Sequence, residues 1–181
     1  MGSSFAALSD QHRAFIEAQP LFFVASAPSG SGGNVNLSPK GYDTLSVLSP
    51  TEVAYLDLTG SGAETIAHLR DNGRITILFC SFGPKPLLLR VYGHAEVVLP
   101  SDEAFAELVG HFPEHRGARS IIRIAVDRVT TSCGYSVPHM SLEGERPTLH
   151  DWVDKRSDEE LADYRAKNNA VSVDGLPALA N

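Results

Sequence analysis

Alternation with a period of two dominates this chain. Residues 74–80 put Ile75, Ile77 and Phe79 on one side, and residues 119–131 put Ile122, Ile124 and Val126 on one side, as strands with a single buried face do. Residues 34–38 alternate more weakly, as a half-buried strand does, and Pro39-Lys40-Gly41 is expected to break that strand. Residues 21–27 and 53–58 are compact apolar runs that read as strands. Gly83-Pro84-Lys85-Pro86 turns the chain from 74–80 into a long extended segment at 87–99, which predicts a hairpin.

Helical spacing is confined to short stretches. Ser9 or Asp10 can cap a helix that carries Phe15 and Ile16 inward and ends before Pro20. Residues 63–71 place Ile66 and Leu69 on one face, and Asn72-Gly73 supplies a stop that accepts positive φ. Ser101 or Asp102 starts another short helix, residues 111–117 read as a loop, and Ser157-Asp158-Glu159-Glu160 has the form of a capping box for a helix reaching about Lys167. With five or six strands, mostly short connections and few helices long enough to cross over a sheet, the pattern predicts a mainly β fold. The expected architecture is a small antiparallel barrel with peripheral helices rather than a parallel doubly wound sheet. The expected organisation is one domain over residues 1–181, with a core at about 20–138 and a C-terminal helical arm at 139–181 whose end docks on a surface.

Composition narrows the function classes. The 181 residues are 43% hydrophobic and 20% charged, an ordinary globular balance. A formal net charge of -7 disfavours a phosphate backbone as partner, so nucleic-acid binding is not expected. No apolar run approaches the roughly 20 residues a bilayer requires, and the start of the chain lacks a signal-peptide layout. The expectation is a cytoplasmic protein with no membrane role. Two cysteines, Cys80 and Cys133, support neither a disulfide framework nor a multi-thiolate zinc site. The seven histidines show no paired ligand spacing. His111 and His115 are separated by Pro113, which interrupts a helix, so no metal is expected.

Two familiar nucleotide motifs are absent. Gly30–Gly33 and Lys40-Gly41 contain no Gly-Lys-Ser/Thr, and Gly60-Ser61-Gly62 lacks the third glycine and the acid of a dinucleotide fingerprint. Two polar segments at strand ends remain. Asn36-Leu37-Ser38-Pro39-Lys40-Gly41 supplies a hydroxyl, an ammonium and a turn with free amides. Thr59-Gly60-Ser61-Gly62-Ala63-Glu64-Thr65 places hydroxyls and small residues at a helix N-terminus, where unpaired N–H groups attract an anion. Each segment alone is also an ordinary polar turn or helix cap. Together they can hold one phosphorylated ligand.

The succession of Asn-Leu-Ser-Pro-Lys-Gly, a strand ending near Asp57, Thr-Gly-Ser-Gly, and a helix running through Glu64-Thr65 and His68-Leu69-Arg70 to Asn72-Gly73-Arg74 resembles the FMN-binding half of pyridoxamine 5′-phosphate oxidase-like proteins. Leu89-Arg90-Val91-Tyr92-Gly93 is similar to the strand that follows in that superfamily, and residues 131–138 to the segment after the last barrel strand in one of its branches. The resemblance spans residues 21–138. It implies a six-stranded antiparallel split β-barrel, a homodimer with FMN at the subunit interface, and oxidoreductase chemistry on a small molecule. The alternative it leaves is a non-catalytic protein that stores or senses flavin, haem or another planar ligand. By matching positions, the cofactor contacts are Asn36, Ser38, Pro39 and Lys40 from the first segment and Thr59, Ser61, Glu64 and Thr65 from the second.

The resemblance has two departures. Where the typical oxidase has adjacent Arg and Lys on the phosphate, this chain has Glu64 and Thr65, so Lys40 becomes the leading phosphate cation, assisted by Arg70 or Arg74. The basic Arg-x-His pattern that holds the vitamin B6 substrate is missing, and that region offers Asp151-Trp152 instead. Trp152 either packs on the flavin from the partner chain or anchors the C-terminal arm. No catalytic acid or base is assigned, because the flavin ring itself carries the hydride chemistry in such proteins.

Overall fold

The computed structural model describes residues 2–179. Among them, eight strands form one sheet in which every pairing is antiparallel: β1 (Ser3–Phe5), β2 (Phe22–Ser26), β3 (Asn36–Lys40), β4 (Leu45–Ser49), β5 (Glu52–Leu58), β6 (Arg74–Cys80), β7 (Leu88–Val98) and β8 (Ala118–Ser132). The strand order is β3-β2-β6-β7-β8-β5-β4, and β1 pairs with the far end of the long β8. The sheet curls on itself, because Lys40 of β3 reaches Asp57 of β5 although the two strands lie near opposite ends of that order. The helices are α1 (Asp10–Glu17), α2 (Glu64–Asn72), α3 (Glu103–Leu108), α4 (Thr148–Asp154) and α5 (Asp158–Asn168).

The mainly β antiparallel barrel with peripheral helices is therefore observed, with eight strands in place of six. The two strands missed from sequence are β1, whose three residues are all exposed, and β4, where only Val47 is buried and no alternation announces a strand. Pro39 does not break its strand. It sits inside β3 opposite Phe23, and because β3 lies at the edge of the sheet its missing N–H costs no ladder bond.

The inward faces of β2, β5, β6, β7 and β8 meet around Val24, Tyr55, Ile77, Leu89, Ile122 and Ile124, closed at one side by Ile66 of α2. Each fully buried aliphatic side chain contributes about 1.5–3 kcal/mol to that core. A second apolar cluster lies on the outer face of β5 and β8, where Ala54, Leu56 and Ile121 are covered by Leu108 of α3. Elsewhere the outer face is uncovered. Cross-strand rows Leu37–Ala25–Thr76–Tyr92 and Pro39–Phe23–Leu78–Arg90 run across β3, β2, β6 and β7, and all eight side chains are partly or fully exposed.

Ser9 proves to be the cap of α1, Asp102 that of α3, and Ser157 with Glu160 forms the expected capping box of α5. Gly73 closes α2 at φ 73°, donating its N–H to the Leu69 carbonyl. The C-terminal end docks more deeply than a surface tail: Ala178 is buried in the main core, with Leu176 and Leu179 packed against it.

Candidate functional site

The two polar segments singled out from sequence converge. A cavity of about 420 Å³ is lined by Asn36, Ser38, Pro39 and Lys40 of β3, by Gly60, Ser61, Gly62, Glu64 and Thr65 at the corner leading into α2, and by Asp57, Leu58 and Arg119. Alternation along β3 turns Asn36, Ser38 and Lys40 to the side of Val24, toward α2 and β5. Asn36 donates through Nδ2 to the hydroxyl of Thr65 at 3.0 Å and to that of Ser26 at 3.4 Å, while its Oδ1 accepts from the Ser38 hydroxyl at 3.0 Å. These contacts fix the amide's orientation. Ser26 in turn meets Nδ1 of the fully buried His68 at 3.0 Å. The Ser26 hydroxyl thus links the Asn36 amide to the buried imidazole.

The floor of the cavity is an ion triad. Asp57, 1% exposed, receives Lys40 Nζ at 3.2 Å on one carboxylate oxygen and Arg119 Nε at 2.6 Å on the other. Burial alone would push the Asp57 carboxyl up. The charges of Lys40 and Arg119 and their hydrogen bonds together outweigh it and hold the group below the ordinary carboxylate range. Two cations thus share one anion. Arg119 is only 6% exposed, and its buried Nη1 has no hydrogen-bond partner.

Neither Asp57 nor Arg119 is among the cofactor contacts expected from sequence. Asp57 carried a legible signal: it continues the inward series Val53, Tyr55, Asp57, and an acid on a buried strand face needs a cation. Arg119 carried none, because alternation places it on the outer face with Ile121. A β-bulge overrides that pattern. Asp57 pairs with Ser120 and Leu58 with Ala118, so Arg119 is the extra residue of β8 and its guanidinium turns in to Asp57.

The remaining expected residues divide. Ala63, at the cap of α2, has no side-chain acceptor to offer the first-turn amides. Glu64, the acid at the position that is basic in the typical oxidase, accepts the Val173 N–H through both carboxylate oxygens at 3.1 and 3.2 Å, so it is engaged with the C-terminal segment. Asp174 of the same segment accepts from the backbone and side-chain amides of Asn34 at 2.7 and 2.6 Å. Thr59 does not line the cavity. Its hydroxyl donates to the Gly117 carbonyl at 2.8 Å and accepts from Arg165 Nε at 2.9 Å. Arg70 lies in the last turn of α2, about 9 Å along the axis from Glu64. Arg74 lines a different cavity with Tyr92 and His94, so Arg119 occupies the place expected for Arg70 or Arg74. Trp152 is likewise outside the cavity, stacked under Arg156 at 3.9 Å and edge-on to Tyr164 at 4.8 Å, where it anchors the arm. Cys80 and Cys133 are free thiols, and no cluster of three or more metal-ligating side chains occurs among the described residues. Among the described residues no helix is long and apolar enough to cross a membrane.

Fold and site together define a class: a split β-barrel with a polar, strand-end cavity, lined by Lys40, Asp57, Arg119 and Glu64, opening against a helix N-terminus. The family model described as pyridoxamine 5′-phosphate oxidase matches residues 8–133. The pyridoxamine 5′-phosphate oxidase family protein ustO of Aspergillus flavus is 39% identical over 97% of this chain and 77% of its own length. The chain belongs to the pyridoxamine 5′-phosphate oxidase family. Solved structures share the fold at lower identity. HupZ of Group A Streptococcus superposes with a TM-score of 0.52 at 22% identity, over 67% of this chain and 91% of its own. An FAD-binding protein of Mesorhizobium loti gives 0.50 at 17% identity, over 72% of this chain and 95% of its own.

Proposed function

We propose that this chain binds FMN in the cavity between β3 and α2 and acts as a cytoplasmic, homodimeric oxidoreductase on a small molecule. The observation that carries the reading is the ion triad: a buried guanidinium with an unpartnered N–H, beside an ammonium, both facing a helix N-terminus. Asp57 is one anion between two cations, and a phosphate monoester supplies further negative charge and acceptor oxygens to them. Lys40 and Arg119 would hold the phosphate, the Ser61 hydroxyl and the first-turn amides of α2 would donate to it, and Asn36 and Ser38 would present polar edges to the rest of the ligand. The residues present therefore fit the group, with Asp57 and Arg119 entering this chain's contact set and Thr59 and Arg70 leaving it. Bound flavin supplies hydride or single-electron chemistry. The protein's part is to fix its orientation and exclude water.

The homodimer is supported by the uncovered rows on β3, β2, β6 and β7, in which Leu37, Phe23 and Leu78 face solvent beside the cavity wall residue Pro39. The second reading, a non-catalytic protein that stores flavin, uses the same cavity and the same contacts. Anaerobic mixing of the flavin-loaded protein with nicotinamide and deazaflavin donors separates the two. Bleaching of the flavin by one of them supports the oxidoreductase, whereas flavin that stays oxidised with all of them supports storage. Sedimentation of a monomer would remove the dimer.

A further inference from the structure

Another cavity lies on the other side of β5 and β8, away from the proposed flavin site. It encloses about 530 Å³ between the outer sheet face, α3 and α5, with walls formed by Leu56, Phe105, Phe112 and Leu161. Arg165 of α5 lines this apolar space. It donates to Thr59 Oγ1 at 2.9 Å and to the Ala118 carbonyl at 3.2 Å, both neutral acceptors, and among the described residues no carboxylate lies within ion-pair distance of it. Asp158, which also borders the cavity, is engaged with Arg116 at 2.8 Å. Burial and the nearby positive charge of Arg119 weaken the hold of Arg165 on its proton, against a smaller opposing pull from the Asp158 carboxylate.

A second polar atom on the same wall is unsatisfied. His115 sets Nε2 at 3.2 Å from the Tyr42 carbonyl, which can only accept, so Nε2 carries the proton and Nδ1 is an acceptor. Nδ1 is buried and has no partner. The cavity therefore combines a half-buried cation that forms no ion pair with aromatic and aliphatic walls, a pattern suited to an amphipathic small molecule.

We infer that this cavity is a binding site for a small organic acid with an aromatic or branched apolar body, its carboxylate on Arg165 and its body against Phe105, Phe112 and Leu161. The site is separate from the flavin cavity, and the inference stands whether or not flavin binds.

Calorimetric titration of the full chain with 3-(4-hydroxyphenyl)propionate tests it, with the corresponding amide as the uncharged control. The acid should bind, and the amide should bind about 10–100-fold more weakly, the value of a charge-assisted contact. Arg165→Gln should weaken the acid by a similar factor. Because Arg165 also tethers Thr59, a second variant, Val109→Trp, fills the cavity from its rim and leaves that tether intact; it should abolish binding without lowering the melting temperature. Equal binding of acid and amide, no binding of the acid to the wild-type chain, or acid binding unchanged in both variants would overturn the inference. So would a change of oligomeric state in Val109→Trp, which would give the cavity to a second copy of the chain.

Discussion

The two ends of the β5–β8 strand pair carry ion clusters built from the same parts and with opposite consequences. At one end Asp57 sits between Lys40 and Arg119, and at the other Arg123 sits between Glu52 and Glu96. The Arg123 cluster is exposed, with the Arg123 side chain at 42%, so water and salt screen its excess negative charge and nothing more is required there. The Asp57 cluster is buried, with side chains at 2% for Asp57 and 5% for Arg119, and its excess positive charge cannot be screened in the same way. The difference lies in the solvent, not in the residues. One cluster is a solvated surface group, and the other is a buried triad with one more cation than anion.

Substitutions sharpen that contrast, from the most damaging downward. Asp57→Ala strands two cations at the barrel wall and should lower stability by about 3–5 kcal/mol, read by chemical denaturation. Lys40→Ala should weaken FMN by about 1.5–3 kcal/mol in a fluorescence titration, and unchanged affinity would take Lys40 out of the site. Acid should act through Asp57. Its folded-state pKa lies below its unfolded value, so its contribution is present above about pH 4 and is lost as pH falls through the depressed folded value. Stability should therefore drop on acidification below about pH 4, and less steeply in Asp57→Asn, measured by melting temperature against pH. Arg123→Ala should cost less than about 1 kcal/mol and leave FMN affinity untouched. A loss comparable to that of Asp57→Ala would erase the distinction between the clusters.

What could be read from sequence follows the same division between local and long-range causes. The strands around Ile75, Ile77 and Phe79 and around Ile122 and Ile124 were legible because alternation against a core is a local pattern. The convergence of the Lys40 turn with the corner after Asp57 was also anticipated, through the order of motifs. Arg119 was not legible, because one inserted residue reversed the face on which it falls. The partner of Glu64 was equally hidden. Nothing in its neighbourhood announces that Val173, 109 positions away, would supply the N–H that engages its carboxylate. Pro39 misled for a simpler reason, since whether proline ends a strand depends on whether that strand has a neighbour on its N–H side.

On the proposed reading, the Lys40–Asp57–Arg119 cluster exists to hold a flavin phosphate. The most direct measurement is the visible absorption spectrum of the freshly purified protein, before and after adding excess FMN and removing the unbound cofactor, with the retained cofactor released and identified by mass. Retained flavin bands and FMN in the released fraction, both lost when Lys40 and Arg119 are replaced together, are the predicted result. A protein that stays colourless after exposure to excess FMN, or that retains flavin equally well without those two cations, would contradict the account.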